Sequence, residues 1–355
     1  MNNIKTVTFI AILTLLISCL KNSYAGELNT DTDRDIRKEY KAFKDHHLKD
    51  IHSFKFFKYK KEDKTIYVSF PLPTIIYCQG NLDVFMSSKF YNSKNKRIEH
   101  KIDDRIYKID NHEHIIARNA AGEALAIVDL SITKNVVFIL LAFFIMFFVF
   151  GKMAKSYKSS PLPRGIGRFL EPIVLYIRDD IARPNIGEKH YKRYMSFLLT
   201  VFFFIWFVNL FGLTPLGSNV TNSIAVTASL AILTYIITTF TANKNYWGHI
   251  FWMPGVPTPM KIILAPIELL GTIIKPFSLM IRLYANMTAG HVVLMSILGL
   301  IFIFQNWLGG TLSFGLAFAL ALLELLVCAL QAYIFTMLSA LYFGAAVEEH
   351  HHEEH

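Results

Sequence analysis

One long apolar stretch of the sequence, residues 260–304, contains Glu268, Lys275, Arg282 and His291 within apolar surroundings. A charge inside a membrane costs about 2.5 to 3.5 kcal/mol on insertion scales, so such residues indicate a functional site. Lys275 and Glu268 can extend to the membrane surface, but Arg282 lies near the middle of the stretch and cannot. Arginine stays protonated whereas histidine and carboxyl groups exchange protons, so the chemistry open to these residues is charge pairing and proton transfer.

The last apolar stretch, residues 314–346, contains two further polar side chains, Glu324 and Gln331, which share one helix face because they are seven residues apart. In the preceding stretch, Arg282 shares a face with Lys275 and Glu268, which come seven and fourteen residues before it. His291, nine residues after Arg282, points about 180° away. If the two stretches form antiparallel helices, Arg282 lies level with Gln331. The same register then places His291 level with Glu324.

The composition is that of a membrane protein. Of the 355 residues, 53% are hydrophobic and 14% are aromatic, which is too apolar for an ordinary soluble domain. The formal net charge is +9, but the Lys and Arg residues cluster between apolar segments and form no stripe with exposed aromatic residues. A nucleic-acid partner is therefore not expected.

Five segments are predicted to cross the membrane, each long enough for an apolar core that needs roughly 17 to 25 residues. They are Asn135–Gly151, Met195–Leu213, Ser223–Phe240, Met260–Phe304 and Phe314–Ala346. As a continuous helix the fourth would be roughly 65 Å long, so it must tilt steeply, and the same holds for the fifth. We therefore predict an all-α polytopic membrane domain whose last two helices are long, tilted and antiparallel.

The segment between the first two predicted spans, residues 152–193, holds ten Lys and Arg residues. Within it, apolar residues recur at helical spacing opposite charged ones, which predicts an amphipathic helix that lies on the membrane surface and does not span. The apolar positions are Ile166, Phe169, Leu170, Ile173, Val174, Ile177 and Ile181. The positive-inside rule places this segment in the cytoplasm and the uncharged connections, residues 214–222 and 305–313, on the other side.

The first 25 residues have the pattern of a removable secretory signal. An apolar run covers residues 7–20 and a small-residue site ends at Ala25, so the mature protein would begin at residue 26. A second interpretation is that residues 16–19 form a lipoprotein box that leaves Cys19 acylated. Plain cleavage is favoured, because such short boxes arise easily by chance in apolar runs.

Residues 26–134 are polar and charged, and they predict a small exported domain rich in β-strands. Alternating apolar and polar residues at 65–70 and 114–117 are typical of short strands. The membrane domain is expected over residues 135–346. The Glu- and His-rich residues 347–355 are expected to form a solvated cytoplasmic tail.

No metal ion or other cofactor is expected. The cysteines at positions 19, 78 and 328 show no CxxC or Cys/His spacing, so we expect neither a disulfide nor a zinc site. Histidines of the predicted exported domain also lack the regular spacing of metal ligands, and we expect them to be solvated. They are His46, His47, His52, His112 and His114.

Several motifs, in this order and spacing, resemble signatures of the a subunit of the bacterial F-type ATP synthase, over roughly residues 135–350. They are ARPNIG at 182–187, FVNL at 207–210, KPFSL at 275–279, IRLYANM at 281–287, AGH at 289–291 and LQAYIF at 330–335. The family works with a rotating ring of c subunits, each carrying one carboxyl group within the membrane. A proton reaches the ring through an aqueous inlet half-channel from the exported side and leaves through a second, outlet half-channel.

The resemblance implies a role for each matching residue. Arg282 matches the essential arginine that faces the ring carboxyl, and Gln331 would position its guanidinium group. His291 and Glu324 match the polar pair of the inlet half-channel. In many bacterial members the acid and the histidine stand in the opposite positions, so the pair is exchanged here.

Glu268 matches an acidic position of the outlet half-channel. Asn286 and Ser278 fall at polar positions of the family and are assigned to the proton path, although helix packing explains them equally well. The implied partners are the c-ring subunits, the b subunits of the peripheral stalk, the lipid bilayer and the translocated H⁺. The implied location is the bacterial inner membrane, with the domain at residues 26–134 in the periplasm and the C-terminus in the cytoplasm.

Two other interpretations of the sequence explain less. A secondary transporter predicts inverted repeats and broken helices, and the sequence shows neither. A membrane anchor for the exported domain leaves Arg282, His291 and Glu324 unexplained. The sequence also lacks a GxxxxGK[ST] phosphate loop, so this chain is not expected to bind or hydrolyse ATP itself.

Overall fold

The structure of the protein is a computed structural model that describes residues 50–61, 64–92, 97–110, 113–159, 165–214, 220–253, 256–304 and 307–348. The predicted signal peptide, Cys19, His46, His47, His112 and the tail after residue 348 lie outside the described residues.

A domain of short strands precedes the first long helix. Its strands are β1 Ser53–Lys61, β2 Lys64–Pro71, β3 Pro73–Cys78, β4 Asn81–Met86, β5 His100–Ile102, β6 Arg105–Ile109, β7 Ile115–Asn119, β8 Ala124–Leu125 and β9 Ile127–Asp129. Among the described residues they form antiparallel sheets in the orders β1-β2, β4-β3-β9 and β5-β6-β7-β8. Ile76, Tyr107 and Ala117 face one apolar core. The prediction that this part of the chain is rich in strands is confirmed.

The rest of the described chain is helical. The helices are α1 Lys134–Ser159, α2 Ile166–Tyr176, α3 Arg183–Ile186, α4 Tyr191–Gly212, α5 Ile224–Thr241, α6 Lys244–Phe251, α7 Thr258–Phe304 and α8 Trp307–Val347, with a wider π-helical turn, Ile177–Ala182, between α2 and α3. Within the described residues, α1, α4, α5, α7 and α8 are long and apolar enough to cross a membrane. The prediction of a polytopic helical protein with five crossing segments is confirmed.

Helix α1 is longer than predicted. It continues to Ser159 rather than ending at Gly151. Lys152 and Lys155 favour helix, and both are exposed, so the charged residues that follow the apolar run do not end the helix.

The predicted turn at residues 305–313 is wrong, because α8 already begins at Trp307. The hydroxyl of Thr311 donates to the carbonyl of Trp307 over 2.8 Å, as a side chain does inside a helix. Gly309 and Ser313 are buried. Small residues that favour a turn in the sequence also allow close helix packing within a membrane. In this segment they are part of the helix.

Helices α7 and α8 form an antiparallel pair. α7 runs for 47 residues despite two internal prolines, and α8 runs for 41. At about 1.5 Å per residue α7 is about 70 Å long, more than twice the roughly 30 Å of a membrane core, so it cannot stand upright within that core.

The membrane helices pack on one side of this pair. Tyr194 of α4 stacks on Phe343 of α8 with ring centroids 4.6 Å apart, and α5 packs against α7. The opposite side of the pair carries exposed apolar residues, among them Ile263, Ile267, Ile274, Ile281, Leu316 and Leu326. Within the described chain the pair therefore presents one apolar face that no helix covers.

The segment from α2 to α3 does not qualify as a membrane span, as predicted. Leu170, Ile177 and Ile181 are buried against other helices, whereas Phe169 is 66% exposed. Part of the apolar face of this segment therefore packs against the protein, and part of it is exposed.

The ARPNIG segment docks closely on α8. The Asn185 amide donates to the Ile181 carbonyl over 2.7 Å and to the Met337 sulfur over 3.4 Å. A side chain at Gly344 would overlap the Asn185 carbonyl, so the glycine is needed for this approach. The contact attaches the non-spanning segment to the helix that carries Gln331.

Candidate functional site

Arg282 lies near the centre of α7 and is half-buried. Ser278 and Asn286, one turn before and after it, are exposed, and so is Ile281 beside it. Among the described residues Arg282 has no hydrogen-bond or ion-pair partner, although its charge reaches Tyr342 of α8. Its guanidinium group is therefore available to a group that approaches the open face of the helix pair.

Gln331 lies on α8 and is buried, with 2% of its surface exposed. In the described part of the chain no hydrogen bond joins it to Arg282, so the structure does not directly couple these two side chains. Gln331 neighbours Ala332 and Phe335, which belong to the packed core between α4 and α8. An amide in this position is held by packing.

Glu324 lies against the backbone of α7 at Gly290. A side chain at residue 290 would overlap the Glu324 carboxyl group, so the absence of one allows the contact. Glu324 and His291 are 4% and 6% exposed. Glu324 Oε1 has no hydrogen-bond partner among the described residues. The carboxyl group thus lies one residue along α7 from the imidazole, in a buried site where a polar atom remains available for water or a proton.

A polar link holds α7 in place near His291. Thr288 donates to Asn222 over 2.5 Å, and Thr221 donates to Asn209 of α4 over 2.9 Å. The short turn Val220–Asn222 therefore connects α4 to α7. The FVNL motif had drawn attention to Asn209, but the sequence analysis missed Thr288, whose only signal is its position one turn before His291.

A polar cleft lies near the other end of α7. Its wall includes Thr238, Tyr246, Thr272 and Lys275, and it leaves about 20 Å³ for the centres of water molecules, enough for a single water. The charge of Glu268 reaches Tyr246. Lys275 therefore lines this cleft and Glu268 lies beside one of its wall residues, both away from His291.

The prediction that the histidines are solvated is wrong for His52. It is 4% exposed, and its Nε2 lies 3.6 Å from Asp129 Oδ2. The Lys134 N–H donates to the Ile51 carbonyl over 3.0 Å, and this long-range bond holds the chain before β1 against the start of α1. His114 is exposed, as predicted.

Comparisons with known proteins agree with one another. The family described as ATP synthase A chain matches residues 136–344, and a domain of unknown function matches residues 43–136. ATP synthase subunit a of Anaeromyxobacter sp. (strain Fw109-5) is 40% identical over 260 residues, which are 71% of this chain and 63% of that protein. The same-named proteins of Chloroherpeton thalassium and Myxococcus xanthus are 43% and 42% identical, over 64% of this chain and 70% and 77% of their own lengths. The matched part of this chain therefore covers less than two thirds of the length of the first relative and more than two thirds of the length of the other two.

Proposed function

The chain belongs to the ATP synthase A chain family, and we propose that it is the proton-translocating subunit a of an F-type ATP synthase. The observation that carries this proposal is Arg282. It is a permanently charged side chain at the centre of a 47-residue apolar helix, half-exposed on a face that no described helix covers. A charge in such a place costs free energy, so it indicates a functional site.

The open face of α7 and α8 is proposed to bind the c-ring. A ring carboxyl that comes to face Arg282 loses its proton, because a neighbouring guanidinium group favours the charged form of a carboxyl. The same fixed positive charge prevents protons from passing directly between the two half-channels. Gln331, which the family resemblance assigns to positioning the guanidinium group, is proposed to do so when the ring is bound.

His291 and Glu324 are proposed to belong to the inlet half-channel, and Glu268 to the outlet half-channel. The buried contact between Glu324 and Gly290 supports the first assignment. The cleft beside Lys275 supports the second. Asn286 and Ser278, both exposed on the face of Arg282, are proposed to contact the ring.

The partners proposed for this chain are the c-ring, the b subunits of the peripheral stalk and the lipid bilayer of the inner membrane. Nucleotide chemistry is assigned to other subunits of the complex. A signal peptide at residues 1–25, an exported domain at 26–134, a membrane domain at 135–346 and a cytoplasmic tail complete the proposal.

ATP-driven acidification of inverted membrane vesicles tests this function. Vesicles from cells that lack the chain should hydrolyse ATP without acidifying, and restoring the chain should restore acidification. Parallel assays with and without sodium distinguish coupling to H⁺ from coupling to Na⁺. Acidification of equal rate in vesicles without the chain would refute the proposed function.

The topology can be tested with protease. The basic segment after α1 and the uncharged residues 214–222 and 305–313 predict that residues 26–134 lie outside the cytoplasm and that the C-terminus lies inside. Protease added to intact spheroplasts should therefore cleave the β-rich domain and spare a C-terminal tag, whereas inverted vesicles should give the opposite result. Cleavage of the tag in spheroplasts would reverse the assigned direction of the half-channels.

A further inference from the structure

The β-rich domain is fastened to the start of α1 by long-range contacts. Asp50 accepts a hydrogen bond from the Asn135 N–H over 3.0 Å, so that its carboxylate caps the N-terminus of α1. Phe54 of β1 packs edge-on against Phe138 of α1, with ring centroids 5.8 Å apart. Phe138 in turn belongs to an apolar cluster with Val220, the first residue of the turn that holds α7. The domain therefore has a defined position relative to α7.

A buried histidine and a partly exposed carboxylate meet at this junction. The His52 side chain is 5% exposed and the Asp129 side chain 33% exposed. Both ring nitrogens of His52 are buried, and neither has a hydrogen-bond partner among the described residues. Burial raises the pKa of Asp129, but hydrogen bonds from Ser131 and the nearby His52 side chain outweigh burial and hold that pKa below its ordinary value. Asp129 therefore stays ionised, reachable by water on one side and beside His52 on the other.

Charged groups continue from this pair towards the membrane. The charges of His52 and Lys134 both reach Asp50, and the buried Lys134 ammonium acts in turn on the imidazole of His291. The carboxylates of Asp50 and Asp129 outnumber the single cation Lys134, so the junction is net negative while His52 is neutral. A negative cleft attracts protons. The junction and the buried end of the proposed inlet half-channel are therefore close enough for the charge of Lys134 to act on both.

We propose that the β-rich domain forms the outer mouth of the inlet half-channel, where His52, positioned by Asp129, passes protons from the exported side towards His291. This inference rests on the proposed function. His52 accepts a proton on Nε2, the ring nitrogen beside Asp129, from a hydronium ion, which leaves as water, and Asp129 stabilises the imidazolium. The imidazolium then releases the proton on Nδ1 to the next water, which becomes a hydronium ion, and His52 is neutral again with its proton on Nε2.

The pH dependence of ATP synthesis distinguishes this role from a structural one. Inverted vesicles carry the exported side in their lumen, so synthesis at a fixed membrane potential can be measured as lumenal pH varies. Histidine exchanges protons in the physiological range, so His52→Gln should slow synthesis about fivefold at lumenal pH 8, where protons are scarce, and less than about twofold at pH 6. Asp129→Asn should change the profile in the same direction.

His114→Gln is the matched control, because His114 is an exposed histidine of the same domain. It should reproduce the parent profile. An equal loss at every pH, no loss at all, or failure of both junction variants to assemble would overturn the inference, since the junction would then be only structural or dispensable. Arg282→Ala in the same vesicles separates the two proposals. If it abolishes synthesis while His52→Gln leaves the profile unchanged, only the inference fails, whereas normal synthesis with Arg282→Ala refutes the proposed function.

Discussion

Replacing Arg282 by Ala is expected to abolish ATP-driven proton pumping while the complex still assembles. A neighbouring arginine lowers the proton affinity of a carboxyl by about one to three powers of ten, so its loss should slow proton release from the ring about 10- to 1000-fold. Assembly should survive because Arg282 is half-buried and bonds to no other described residue, so its removal leaves no buried partner unsatisfied. Acidification of inverted vesicles and the amount of complex in the membrane are the two measurements.

Two further variants make this test specific. Arg282→Lys should not restore pumping, because an ammonium group lacks the planar fork of the guanidinium group and loses its proton more readily. Lys261→Ala removes a cation from the same helix, where Lys261 lies 4.6 Å from the ring centroid of Trp252, far along α7 from Arg282. This control should pump at the parent rate. Normal pumping by Arg282→Ala would mean that the assigned role is wrong.

The membrane helices could be predicted from the sequence because the length of an apolar run is a local property. The relation between α7 and α8 also follows from spacing, since helical geometry fixes which residues share a face. The predicted register puts His291 level with Glu324, and the structure brings Glu324 to Gly290, the residue before. The start of α8 was not predictable in this way, because the same small residues suit a turn and a close helix contact.

The junction between the two parts of the chain was beyond sequence reasoning. The hydrogen bond from Asn135 to Asp50 joins residues 85 positions apart, and no periodic pattern indicates it. Burial of His52 follows from that closure, so histidine spacing alone gave the wrong environment. The Thr288 bond to Asn222 likewise depends on how a turn between two helices meets a third.

Exchange of His291 and Glu324 tests whether the pair relays protons. Both side chains are buried, and Glu324 reaches α7 only because Gly290 has no side chain. His291→Ala and Glu324→Ala should each slow pumping by at least about tenfold, since acid–base groups commonly contribute about 10² or more. A polar contact that only holds two helices together is worth about 0.6 kcal/mol on average, which corresponds to less than about threefold. The size of the loss therefore separates the two roles.

The double variant His291→Glu with Glu324→His should recover much of the rate, because it keeps one acid and one imidazole in the same buried site. The absence of a side chain at Gly290 lets residue 324 approach α7. Ser296→Ala is the control, because Ser296 is exposed on α7 and, among the described residues, bonds only to its own helix, through the Val292 carbonyl. It should pump normally. Single variants at His291 and Glu324 that also pump normally, or an exchanged pair no faster than either single variant, would leave the two residues with only a structural role.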